Sequence, residues 1–252
     1  MGLFGKKQPC AVCGGKVSAI VIFKTTDGPL CASCHKKCSP LAARTLNNRS
    51  AQEARQHIAN REVNLKKYKA FSPTDTVSNY LHIDRRTKTW CCPSLDPNNP
   101  DIFSFSELVD FELMEDGVSV TKGGLGSAIV GGALFGVAGA IVGGNLGKKQ
   151  KDTVNKMAVV INMRNGLIPR VEIPLITTET KRGGFTHKNC KVLGDRIISL
   201  LTVISDSQKA SVAASAPVAS SADELMKYKR LLDAGAITQE EYEAKKKQLL
   251  SL

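Results

Sequence analysis

Four cysteines lie in two Cys-x-x-Cys pairs near the N-terminus, Cys10 with Cys13 and Cys31 with Cys34. Thiolates three residues apart on a tight turn can aim at one point, and two such turns close a tetrahedral site for Zn²⁺. A four-thiolate site has no open position, so the expected Zn²⁺ is structural and does not activate water. His35 and Cys38 lie close enough to compete as ligands, and are read as neighbours of the site. Cys91, Cys92 and Cys190 are expected to be buried or free thiols. The remaining histidines, His57, His82 and His187, show no Ser, Cys or carboxylate partner set. No catalytic residues are assigned, the chain is expected not to be an enzyme, and no small-molecule substrate is evident.

Elements must hold the two pairs together. Gly14 and Gly15 can take the positive φ angles of a zinc knuckle. Residues 17–24 read as a strand and 25–28 as a turn. Residues 32–37 read as a short helix ended before Pro40, whose N-terminus favours thiolates. This is treble-clef logic for a module over 1–48. A disulfide pair would suit a secreted chain, but the opening residues have no apolar h-region. The expected location is the cytoplasm, with membrane association as the alternative.

The formal net charge is +12. Residues 1–70 hold 13 Lys and Arg against 3 Asp and Glu. A basic head permits contact with nucleic acid or an anionic membrane without requiring either. Ser50 and Glu53 form a capping box that should start a connector helix ending near Lys69, within a segment 49–72. Ala54, Ile58, Leu65 and Tyr68 give it an apolar stripe, with Arg55, Arg61, Lys66 and Lys67 on the other faces.

From about residue 79 the period changes to two. Strands are expected at 80–84 and 87–91 around Arg85 and Arg86, then at 101–105, 109–115, 118–121 and 156–163. Asn165-Gly166 is the strongest hairpin signal, pairing 156–163 with 167–175. An amphipathic helix follows over about 186–204, with Cys190, Leu193, Ile197, Leu200, Leu201 and Ile204 on its core face. Antiparallel strands closed by one helix, over 78–206, resemble the pleckstrin-homology-like barrel in element order.

Residues 125–146 carry no charge, inside an insertion over 123–148. Gly132, Gly136, Ala140 and Gly144 recur at four-residue steps and form a smooth packing face. One helix would be about 33 Å long, enough to span a bilayer. A single span would separate strands that belong to one sheet. A helical hairpin, too short in each arm to cross, is therefore preferred, buried against protein or inserted shallowly in a membrane.

Residues 207–221 are Ala/Ser-rich and read as a flexible linker. A two-helix unit over 222–252 follows. Ser221 with Glu224, and Thr238 with Glu241, are its capping boxes. Leu225, Leu231, Leu232, Ile237, Tyr242 and Leu249 are its apolar face. Thirty residues cannot bury enough apolar surface to stand alone, so these six are expected to mediate oligomerisation or docking.

The core Leu231-Leu-Asp-Ala-Gly-Ala-Ile-Thr-Gln-Glu-Glu-Tyr242 closely resembles the SHOCT (short C-terminal) domain, which implies an oligomerising or tethering role. Cys10, Cys13, Cys31 and Cys34 with Ser39-Pro40 resemble an uncharacterised bacterial zinc-module family that opens with Met-Gly-Leu-Phe. The stretch from Phe103 to Gly117 into the glycine-rich run looks like the body of SHOCT-tailed bacterial and phage proteins. The expected fold class is α+β multidomain: a treble-clef-like zinc module, a pleckstrin-homology-like β domain with a glycine-rich helical hairpin, and a SHOCT tail. The expected function is a zinc-binding scaffold that self-associates or tethers a protein partner. The alternatives are membrane association through the glycine-rich hairpin and nucleic-acid binding through the basic module.

Overall fold

The computed structural model describes residues 8–17, 23–124, 152–215, 221–233 and 236–250. It contains two compact units, Met1–Asp206 and Ser207–Leu252. The first unit takes in the cysteine module, the connector helix and the sheet domain together.

In the module, β1 (Phe23–Thr25) pairs antiparallel with β2 (Gly28–Leu30), and α1 follows at Ala32–Lys37. The expected strand at 17–24 begins at Phe23 in the described residues, and 18–22 lie outside them. Ser39 then caps α2 (Pro40–Ala43), its hydroxyl accepting from the Ala42 N–H, with proline in the first turn where its missing N–H costs nothing. The connector helix is α3 (Ala51–Lys69), and both halves of the Ser50/Glu53 capping box are formed.

Two four-stranded antiparallel sheets follow, β3–β4–β5–β6 and β11–β10–β7–β8, with a short β9–β12 pair. The first holds β3 (Asp75–Val77), β4 (Leu81–Asp84), β5 (Thr89–Cys91) and β6 (Phe103–Ser104). The second holds β7 (Leu108–Glu115), β8 (Val118–Gly124), β10 (Met157–Met163) and β11 (Arg170–Ile176). The small pair is β9 (Thr153–Val154) with β12 (Thr180–Lys181). Both flanks of the glycine-rich insertion thus return to one unit. Gly132, Gly136, Ala140, Gly144 and the proposed hairpin lie outside the described residues.

The β9–β12 pair was not anticipated, and three further points of the strand reading need correction. β3 was not anticipated; it is three residues long, behind Pro73, too short for a period. The strand expected at 101–105 shrinks to two residues. Ser104 instead caps a 3₁₀ turn at Phe105–Glu107, its N–H donating to the Glu107 carboxylate at 2.7 Å. Asn165-Gly166 does not make a two-residue hairpin, because Asn162 pairs with Arg170 across a wider loop. The Asn165 side-chain oxygen accepts from the Leu167 and Ile168 N–H groups at 3.1 and 2.9 Å, while its amide donates to Glu107 at 2.7 Å. That side chain shapes the loop and lets Ile168 enter the core. A tight two-residue hairpin turn stands instead at Asp116-Gly117, both at positive φ (48° and 83°), between β7 and β8.

The core between the sheets and the helix is apolar, with Trp90, Phe111, Leu113, Ile161, Ile173, Ile197 and Leu201 fully buried. The closing helix, α4, runs Phe185–Ser215. Its expected core face is confirmed by buried Ile197, Leu201 and Ile204, and Ile198 joins them. At Gly194, a Cβ would stand 2.7 Å from Leu113 and 3.1 Å from Leu175, so the helix comes close to the sheet there. Residues 207–215 are helical, not the expected flexible linker. They contain Ala, Gln and Lys, with no Gly or Pro to stop the helix.

In the second unit, α5 (Ser221–Asp233) and α6 (Gln239–Leu250) form a helical hairpin. The Thr238 N–H donates to Glu241 at 2.9 Å, and the Glu241 N–H donates to the Thr238 hydroxyl at 3.3 Å, completing the second capping box.

Candidate metal centre

The knuckle that presents Cys10 and Cys13 is a tight turn. The Gly14 N–H donates to the Cys10 carbonyl at 2.8 Å, and the Cys10 N–H to the Gly15 carbonyl at 2.8 Å. Gly14 sits at φ 72° and has nothing near a would-be Cβ, so it is glycine for its backbone angle. Gly15 has no positive φ, contrary to expectation; a Cβ there would lie 3.3 Å from the Cys13 sulfur. Cys31 is the N-cap of α1, its sulfur accepting from the Cys34 N–H at 3.4 Å. The Cys31 N–H in turn donates to the Cys10 sulfur at 3.3 Å.

The four sulfurs of Cys10, Cys13, Cys31 and Cys34 all lie within 4.8 Å of one another. The Cys13 and Cys31 sulfurs are 3.7 Å apart. Tetrahedral Zn²⁺ with bonds of about 2.3 Å needs sulfurs about 3.8 Å apart, so the donor set fits. Three of the four are buried and Cys13 is exposed. Burial raises the Cys10 thiol, but N–H bonds from Cys31, Cys13 and Val12 outweigh it and hold the group down at about 6. Burial and the neighbouring sulfurs push Cys34 up. Four close thiols cannot all ionise unaided, and a shared divalent cation removes that conflict.

Cys38 and His35 stay outside the cluster. The Cys38 thiol donates to the Cys34 carbonyl at 3.6 Å, and burial raises it to about 11. The His35 ring stacks on Phe23 at 3.6 Å between centroids. All eight cysteines are free, with Cys91 and Cys92 fully buried.

Sequence patterning missed what supports the knuckle. Arg55, placed on the polar side of the connector helix, donates to the Val12 carbonyl at 2.9 Å and to the Ala11 carbonyl. The Asp27 carboxylate accepts from the Ala51 N–H at 2.7 Å, fixing the β1–β2 turn to the start of α3. Arg61 is not a solvated residue of that face. It bridges Asp96 at 2.8 Å and Asp101 at 3.0 Å, and donates to the Asn99 carbonyl at 2.6 Å. Thr45 donates to the Leu167 carbonyl at 2.7 Å, joining the module to the second sheet. A bare sequence signals none of these long-range partners.

Three family models match the chain. Residues 67–177 match "Glycine zipper containing PH domain". Residues 8–57 match "Domain of unknown function (DUF4428)". Residues 223–250 match "Short C-terminal domain".

Three parts of the chain are each similar to a known family.

No curated protein and no solved structure matches it. The two-sheet region within 67–177 is PH-like by that match, which also takes in the uncharged run at 125–146, and α4 lies beyond it. The α5–α6 hairpin is the SHOCT tail. The three are not enzymatic families. In the SHOCT tail, Leu225, Leu232, Ile237 and Tyr242 are half-buried and Leu231 is exposed, while the side chain of Leu249 lies outside the described residues. No helix among the described residues is long and apolar enough to cross a membrane.

Proposed function

We infer that the chain is a non-enzymatic scaffold, stapled by one structural Zn²⁺, that self-associates or tethers a partner through its SHOCT tail and glycine-rich segment. The observation that carries this reading is in the tail. α5 and α6 belong to the small compact unit Ser207–Leu252, in which Met226 is 57% exposed and Leu231 37% exposed. So small a unit has little core to spare, and a partner that covers these side chains supplies the missing burial.

The histidines support the non-enzymatic reading. His57 accepts from a main-chain N–H, His82 bonds the Ser78 carbonyl, His187 bonds Glu115, and His35 is stacked. Each has a structural partner, and the partner of His187 is a carboxylate that the sequence reading did not pair with it. The cysteine cluster offers a closed metal site, which stabilises the module and performs no step.

The test is the mass of the full chain in solution beside a chain lacking 221–252 and a Leu231→Lys variant. An oligomer in the first that becomes a monomer in the other two is expected. A full chain that is monomeric and retains no protein partner overturns the reading.

A further inference from the structure

Phe185 is 82% exposed at the start of α4. At 3.6 residues per turn, Val192 and Val203 project within about 20° of it. They are 58% and 44% exposed. Ile197, Ile198, Leu201 and Ile204 point away from that line into the core, each 2% exposed or less. The helix thus carries a second apolar line on its outer side, about 27 Å long. Asn189, Arg196 and Ser199 interleave with it, and all three are exposed. Exposed Lys188 flanks it, and exposed Lys181 lies just before the helix. Asp206 flanks the far end, and Asp195 is paired with Lys191 at 3.1 Å.

We propose that this outer face of α4 docks on an anionic lipid bilayer. Phe185, Val192 and Val203 enter the boundary between headgroups and acyl chains, while Lys188 and Arg196 meet lipid phosphates. A helix lying in the interface plane binds by this combination of apolar area and basic charge. Charge decides the occupant. Every basic residue on this face gains from an anionic surface. A second copy packed antiparallel along the same line would bring the two Arg196 guanidiniums within about one helical turn. No carboxylate stands on that line to neutralise them. The residues of the docking face fall outside the sequence ranges 221–252 and 125–146.

The experiment uses the full chain with vesicles of phosphatidylcholine alone and of phosphatidylcholine with phosphatidylserine. Co-sedimentation with the phosphatidylserine vesicles only, falling as salt rises, is the expected result. Lys188→Ser with Arg196→Ser weakens it by roughly tenfold or more, and Phe185→Ser weakens it as well. These side chains are exposed, so circular dichroism of the variants should match the parent. Phe185→Trp adds a reporter whose emission shifts to the blue on binding, while Trp90, 0% exposed, stays constant. Three results overturn the proposal. One is no binding to either vesicle. Another is binding untouched by Phe185→Ser but lost on deleting 125–146, which assigns lipid contact to the glycine-rich run. The third is a full chain whose mass halves in Phe185→Ser, which assigns the face to a second copy. Loss of self-association on removing 221–252 tests the scaffold reading separately.

Discussion

The main-chain N–H of Ser39 donates to Nε2 of His57 at 3.1 Å. Ser39 stands five residues after Cys34, the last cysteine of the cluster, and His57 lies in the second turn of α3. The bond fixes the ring as the neutral tautomer with its proton on Nδ1. It also fastens the cysteine module to the helix that Arg61 fastens to the sheet domain.

That bond makes stability depend on pH. Burial, with Arg61 nearby, pulls the His57 pKa down to about 4. In the unfolded chain the ring titrates near 6.5. Between those values the unfolded state binds a proton that the folded state refuses, so stability falls as pH drops from about 6.5 to about 4. The loss is on the order of 3 kcal/mol at most. His187, lowered chiefly by burial, adds the same sign. Urea titrations over this range should show the slope, and a His57→Gln variant should flatten most of it. An unchanged slope in the variant would remove His57 from the account.

Metal loading should depend on residues outside the cysteines. The chain should bind one Zn²⁺, release protons on doing so, and hold it less well as the medium becomes acidic. Arg55→Ala frees the Ala11 and Val12 carbonyls of the knuckle. Supporting contacts of this kind are worth about tenfold in metal affinity. A chelator competition followed by a zinc-sensitive dye measures it. Equal retention by parent and variant would mean that the knuckle holds its own shape.

Gly194→Ala should destabilise the first unit by about 1–3 kcal/mol, since one methyl must displace Leu113 and Leu175 where α4 packs on the sheet. Gly166→Ala, where a Cβ meets nothing within 4 Å, is the control and should be nearly neutral. Thermal denaturation compares the two. Similar midpoints would show that the helix can lift without cost.

Much of the local structure was legible in the chain. The Cys-x-x-Cys spacing gave the four sulfurs that converge, and the Ser50/Glu53 and Thr238/Glu241 boxes gave two helix starts. The apolar spacing of 193–204 gave the buried face of α4. These signals act over a few residues, so nearest neighbours determine them. Asn165-Gly166 misled because its turn is shaped by a bond to Glu107, 58 residues away.

The sequence by itself determined which short segments become helix or strand and which four sulfurs converge, because caps, periodicity and Cys-x-x-Cys spacing are local. Only the tertiary structure decided that the cysteine module is no detached head. Read along the chain, the module, connector helix and β domain are separate pieces. Folded, they form one unit, because Arg55, His57, Arg61 and Thr45 find partners 18 to 122 residues away. Polar side chains carry no periodic signal, and their partners exist only once the chain has closed on itself.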